Sequence, residues 1–392
     1  MKSVLPAAAA LAAVVSAAAQ GQPPAPRFEL RPAPAGAKAT AAVQRVIDDA
    51  AAAGGGEVVL GGGEFVCGSL FLKSNVSLRI DEGATLLASA DRGDYNDAGV
   101  CPQNWTSENE KNSGAHLLLC IGQTNVAVRG AGRIDGRSAA FLLDPATGAP
   151  WPGGARGIPW RPGQMLYFVE SRGIALEGLS LENAPYWSCH LHGCTDVSVR
   201  DLRIRTVRRP FHTHNGDGLD IDCCEDVEVS GCDIDTADDS ITLRADSDWL
   251  IAPRPCARIS VRDCRLSSGC NAIRLGVGNG EVRDASFSGI SIRGSRTAVN
   301  AVGSWARGER GCDIRRVSFD RLDVEARTFC HIYYKFATGS VFEDIAFRHV
   351  RGKVAGPSSI DDTPDRPFRG LVFEDVALEG ETSPRVQPAT KP

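Results

Sequence analysis

A chain of 392 residues with 43% apolar and 23% charged content has the composition of a folded globular protein. Its formal charge of −5 gives no bulk attraction to nucleic acid or to anionic lipid, so neither is expected as a partner. Forty-two Gly against two Met point to strands and turns rather than helical bundles.

At the N-terminus, Lys2, an apolar run at 5–15 and the small residues Ala17, Ala18 and Ala19 read as a secretory leader over residues 1–20. The run is too short to span a bilayer. The leader implies a secreted or periplasmic protein. A proline-rich stretch follows, and residues 21–36 are expected to be a flexible lead-in. Residues 40–53 place Val43, Val46 and Ile47 at helical spacing and stop at Gly54, Gly55 and Gly56. This helix is expected to cap one end of the domain. Residues 383–392 read as a loose tail, leaving 37–382 as one domain.

Along that domain, short β-rich segments recur, each with a polar start and an alternating apolar core. They begin near residues 171, 194, 224, 256, 314, 341 and 372. The step is 30 residues from Val197 to Val227, 32 from Val227 to Ile259 and 31 from Val341 to Val372. Period-2 alternation gives each segment one apolar face, which a single unit cannot bury and a stack of coils can. Helical repeats would show a 3.6-residue period, and propeller blades would need longer steps. The expected fold is all-β, a parallel β-helix solenoid with an N-terminal capping helix.

Thirteen cysteines, an odd number, leave at least one thiol free. Cys189, Cys232 and Cys264 fall on inward positions, and none of the thirteen shows zinc-ribbon spacing. The expectation is mostly buried thiols with one or two bridges.

The unusual chemistry lies between His212 and Arg244. Asn215-Gly216-Asp217 precedes a strand in which Leu219 and Ile221 face in and Asp220 and Asp222 face out. Asp238-Asp239 precedes one in which Ile241 and Leu243 face in and Thr242 and Arg244 face out. Asp217 therefore comes to lie one coil from Asp238 and Asp239. Like charges that close raise the pKa of at least one carboxyl. An acid beside a carboxylate is the pair that glycoside hydrolysis uses. Acidic turns that merely solvate a solenoid are the plain alternative. One coil earlier, alternation turns His190 and His192 outward, and they are expected to be exposed; His212 and His214 flank the Asn-Gly-Asp turn. His-x-His beside aspartates lacks a fixed ligand spacing, so no metal is expected.

At these residues the sequence resembles glycoside hydrolase family 28, the polygalacturonase family. Gly54-Gly55-Gly56-Glu57-Val58-Val59-Leu60, Gly83-Ala84-Thr85-Leu86-Leu87, Gly132-Arg133-Ile134-Asp135-Gly136 and Asn183-Ala184-Pro185-Tyr186-Trp187 are similar to family stations in the expected order. Asn215-Gly216-Asp217 matches the family's Asn-Thr-Asp motif, and Asp238-Asp239 its Asp-Asp pair. The resemblance implies a right-handed single-stranded parallel β-helix and single-displacement hydrolysis with inversion, without metal or cofactor. It makes Asp238 the general acid, with Asp217 and Asp239 positioning and activating water. Substrate contacts are expected from Asn215, His214, Asp220, Arg244, Asn271, Arg274 and His190, on a carbohydrate partner and in a monomer.

Two stations depart from the pattern. Gly269-Cys270-Asn271-Ala272-Ile273-Arg274-Leu275-Gly276 stands where the family has Gly-His-Gly, with Asn271 at the histidine. The counterpart of the family's Arg-Ile-Lys, residues 297–302, holds no basic residue. Arg274 and Arg244 are the candidate replacements for gripping a substrate carboxylate; otherwise the sugar is neutral or differently decorated, within a pectin-related class. Trp187, Trp305, Tyr333 and Tyr334 are candidate sugar platforms. A β-helical uronate lyase or epimerase and a non-catalytic glycan-binding β-helix are the rival readings.

Overall fold

The structure, a computed structural model, describes residues 26–32, 34–305, 310–361 and 368–381. The expected leader and tail lie outside the described residues. From Cys189 onward, one coil consists of strands Cys189–His192, Thr195–Arg200 and Arg203–Arg205; the next consists of Leu219–Asp222, Glu225–Ser230 and Asp233–Thr236. Each strand pairs in parallel with its counterpart one coil later, as Leu219↔Ile241 and Val197↔Val227 do. The 30-residue sequence step is therefore one turn of a parallel β-helix.

Alternation sets this register, because a slip of one residue would turn every apolar side chain outward. Leu191, Ile221, Leu243 and Leu275 stack as one inward row, all buried. The polar start of each repeat is a bend. Asp196, Asp226 and Arg258, equivalent positions in successive coils, have φ of 58°, 58° and 59°. Aspartate tolerates that left-handed conformation better than most residues. Where Arg258 replaces it, the guanidinium bonds back to Asp226 at 2.6 Å.

The helix occupies Thr40–Ala52 and buries Val43, Ile47 and Ala50 against the first coil, with Val46 only half-buried. It covers the solenoid end as expected. Toward the other end a ladder of rings, Phe287, Phe319, Phe347 and Phe373, stacks at centroid spacings of 5.0, 4.7 and 5.0 Å.

Two expectations need correction here. The proline-rich lead-in is not wholly loose, because Arg27–Leu30 is a strand pairing in parallel with Gly56–Leu60. It supplies backbone partners to an edge that would otherwise be open. The expected bridges are absent too: all thirteen cysteines are free, and only Cys270 is not fully buried. Cys194, Cys224 and Cys256 recur at one point of successive coils, where their thiols meet the carbonyls of Phe168, Leu191 and Ile221 at 3.3–3.5 Å. They serve as small apolar fillers with a weak donor.

Candidate active site

The first strand of each coil forms the sheet that carries the site. Its outward row runs Tyr167, His190, Asp220, Thr242, Arg274 and Asn300 in register. Asp217 and Asp238 sit on the turns just before two of these strands, and those turns are tied together. The Asp238 N–H donates to the Gly216 carbonyl at 3.2 Å, and the Gly218 N–H donates to the Asp239 carbonyl at 2.8 Å. Gly218 permits this approach: a Cβ there would lie 2.5 Å from the Ser240 carbonyl oxygen. Thr206 clamps both turns, donating its hydroxyl to Gly216 and accepting from the Ala237 N–H, each at 2.8 Å.

Asp217, Asp238 and Asn215 line a cavity of about 270 Å³, together with Trp105, Glu110, Trp187, Arg244, Arg274 and Trp305. Asp239 lies behind it, nearly inaccessible, with two donors on one carboxylate oxygen and a guanidinium in ion-pair contact with the other. The Asn271 N–H and side-chain amide approach one oxygen at 3.0 and 2.7 Å, and Arg274 Nη1 stands 3.0 Å from the other. Asn271 thus holds Asp239.

The two carboxyls that line the cavity are pushed up. Burial, then the neighbouring charges of Asp238, Asp220 and Asp239, raise Asp217 well above the usual range. Burial and then Asp239 raise Asp238 to about 6, against the lowering field of Arg274. Two buried carboxyls facing one cavity share the demand for a proton. Asp238, Asp239 and Cys270 bring donor atoms within 4.8 Å of one another. Burial and the two carboxylates push the Cys270 thiol up, so it keeps its proton. A neutral thiol is a weak metal ligand, and a cation here would also compete with Arg274.

His190 and His192 face away from the core but are not exposed; both are buried, as are Asp220, Asp222, Thr242 and Arg244. Strand alternation reports direction only, and here a chain excursion at 89–117 covers that direction. Tyr167 stacks between His116 at 4.6 Å and His190 at 5.3 Å, and its hydroxyl donates to the Gln103 carbonyl at 3.0 Å. Trp187 closes over His190 edge-on at 5.1 Å. Burial then lowers the His190 pKa to about 4. Its Nε2 lies 3.6 Å from Asp222, beyond hydrogen-bond reach. For Asp222, burial works upward, but His190, His192 and Arg244 outweigh it and hold the carboxyl below its usual value. Asp220 accepts from the Thr242 hydroxyl, and burial raises it to about 7.

Arg244 does not reach out as a free cation. It lies 3.4 Å from Asp222 and 3.7 Å from Asp246, with its guanidinium 4.8 Å above Trp187. His214 is half-buried, edge-on to His212 at 5.1 Å, and no contact joins its ring to Asp217. Of the expected platforms, Tyr334 is a core residue stacked near Phe342 and Phe368, and Trp187 is buried. Trp305 is 42% exposed at the cavity, and Tyr333 is partly buried.

Sequence reading missed Trp105, Glu110 and Arg161. Arg161 is fully buried, stacks 4.7 Å from Tyr186 and donates to the Pro185 carbonyl at 2.7 Å, the His214 carbonyl, the Glu110 carbonyl and Asn215 Oδ1 at 3.0 Å. It anchors the 104–116 excursion to the turn carrying Asp217. Its position 54 residues before Asn215 leaves no local signal.

Among the described residues no helix is long and apolar enough to cross a membrane. Residues 103–301, just over half of the chain, match the family model described as glycosyl hydrolases family 28. A polygalacturonase of Ralstonia solanacearum is 27% identical over 241 residues, covering 52% of this chain and 45% of that protein. The chain thus spans about half the length of such curated relatives. A hyperthermoactive exopolygalacturonase of Thermotoga maritima shares the fold with a TM-score of 0.72, at 18% identity over 92% of this chain and 89% of that one. An Erwinia carotovora polygalacturonase does so with a TM-score of 0.60, at 18% identity over 93% and 97%. Matched residues 103–301 take in the tied turns, the donors on Asp239 and most of the cavity wall, and the chain belongs to glycoside hydrolase family 28.

Proposed function

We propose that the protein is an exported glycoside hydrolase that cleaves O-glycosidic bonds of a pectin-related saccharide with inversion. One observation carries the reading: Asp217 and Asp238 face one cavity with raised pKa values, and Asp239 stands directly behind them, paired with Arg274. Asp238, raised to about 6 and facing the cavity, gives its proton to the leaving glycosidic oxygen as the C1–O bond breaks. Asp239, paired with Arg274 and held by the Asn271 amide, takes a proton from the water that attacks the anomeric carbon. Asp217 orients that water. Asp238 and Asp239 have oxygens within 4.8 Å of one another, closer than the roughly 6.5–9.5 Å usual for an inverting pair. Inversion therefore rests on the family membership and is read from the product anomer. The polygalacturonase relatives support the pectin-related class, and the leader expected from the sequence over residues 1–20 supports export.

The test is a screen of the purified protein on pectic and neutral polysaccharides, following reducing ends and product anomer together. Hydrolysis with inverted anomer is expected, and Asp238→Asn should lower kcat by about 10²-fold or more. For the wild type, kcat should fall as pH rises through about 6, where Asp238 gives up its proton. Products absorbing as unsaturated uronates would overturn the reading in favour of a lyase.

A further inference from the structure

The 297–302 segment, which lacks a basic residue, lies on the coil just before Lys335. Most cations around the cavity are already committed. Arg161 serves carbonyls and Asn215, Arg244 serves Asp222 and Asp246, Arg274 serves Asp239, and the exposed Arg296 donates to Cys270 Sγ. Lys335 differs. It ends strand Asp313–Lys335, in register with Ser304 one coil earlier. Its ammonium stands 3.2 Å over the Trp305 ring centroid and 5.4 Å from that of Phe336. Among the described residues no carboxylate comes within ion-pair distance of it.

Trp305 is the exposed aromatic of the cavity wall, and the Arg274 guanidinium lies 6.0 Å from its centroid. Asp239, Arg274, Trp305 and Lys335 thus follow one another outward from the carboxylates. Partial burial, then the charge of Arg274, lowers the Lys335 pKa. An anion bound there would offset the repulsion from Arg274.

We propose that Lys335 is a specificity-determining residue which receives the carboxylate of a uronate sugar lying beside Trp305, next to the sugar under attack. This rests on the hydrolase reading and narrows its substrate to saccharides bearing acid groups. It accounts for carboxylate recognition without a base at 297–302, because the cation is supplied by the following coil. Ring contacts hold the ammonium in place without neutralising it. An incoming carboxylate then forms a charge-assisted hydrogen bond and displaces no internal ion pair.

Binding, rather than turnover, gives the direct test. In an Asp238→Asn background, trigalacturonate and its methyl ester are titrated calorimetrically, with and without Lys335→Gln. Lys335→Gln should weaken trigalacturonate binding by about tenfold and leave the methyl ester unchanged, while Lys335→Arg keeps most of the affinity. Equal losses for both ligands, an unchanged trigalacturonate affinity, or no trigalacturonate binding at all would each overturn the proposal. Lys335-dependent binding by a wild-type chain that cleaves no glycan would sink the hydrolase reading and leave this one standing. Cleavage confined to neutral glycans would do the reverse.

Discussion

Asp239 has both oxygens engaged and almost no contact with solvent, so its partners matter to folding as well as to chemistry. Removing one partner of a buried ion pair leaves an unmatched charge, at a cost of about 3–5 kcal/mol. Arg274→Met should therefore destabilise the protein by that order in denaturant unfolding. Adding Asp239→Asn should restore most of the stability and none of the turnover. If Arg274→Met unfolds like wild type, the pair does not carry the weight given to it. At this scale the sequence exposed the acids, because Asp217, Asp238 and Asp239 sit at recognisable turns beside alternating strands. It concealed their partners. Arg161 reaches Asn215 from 54 positions away, and nothing in its own surroundings marks it.

Between elements, spacing decides activity. The turns bearing Asp217 and Asp238 touch through Gly216 and Gly218. Gly218→Ala would set a methyl 2.5 Å from the Ser240 carbonyl and force the turns apart. Misplacement on the ångström scale costs about 10²-fold in rate, so kcat should fall by that order while the far-UV circular dichroism keeps its strand signature. An alanine variant with full activity would show that the turns need not touch. The phenylalanine ladder is the corresponding device for the later coils. Phe319 stacks on two neighbours, and Phe319→Ala should cost about 3–5 kcal/mol in chemical unfolding. These strands were legible from alternation alone. The 89–117 excursion was not, since it follows no repeat; it packs on Tyr167, which with Trp187 encloses His190 and His192.

For the whole molecule, buried titrating groups oppose one another across the mildly acidic range. Burial lowers His116 to about 3 and His190 to about 4, so their contribution is complete above about 6.5 and is lost as pH falls toward those values. Asp220 and Asp238, raised to about 7 and 6, contribute in the other sense: fully below about 4, and lost as pH rises through 6–7. Asp217, raised as well, adds to the second group, so thermal midpoints should decline gently as pH rises from about 4 to 7. Below about pH 4 they should fall, as carboxyls held low by their partners, Asp222 among them, take up protons. Asp220→Asn removes one raised carboxyl, so relative to wild type its midpoint should fall more at pH 4 than at pH 7. A variant whose profile stays parallel to wild type would contradict the assignment of Asp220.

The coil length, the inward rows, the capping helix and the turns that carry the acids were determined by the sequence alone. Each depends on alternation and turn chemistry within a few neighbouring residues. Tertiary structure decided which outward side chains meet solvent, which cation answers which carboxylate, and whether thiols bridge. Those outcomes depend on what crosses the sheet from distant coils and loops. Alternation gives a side chain its direction, and residues from other coils and loops determine what that side chain meets.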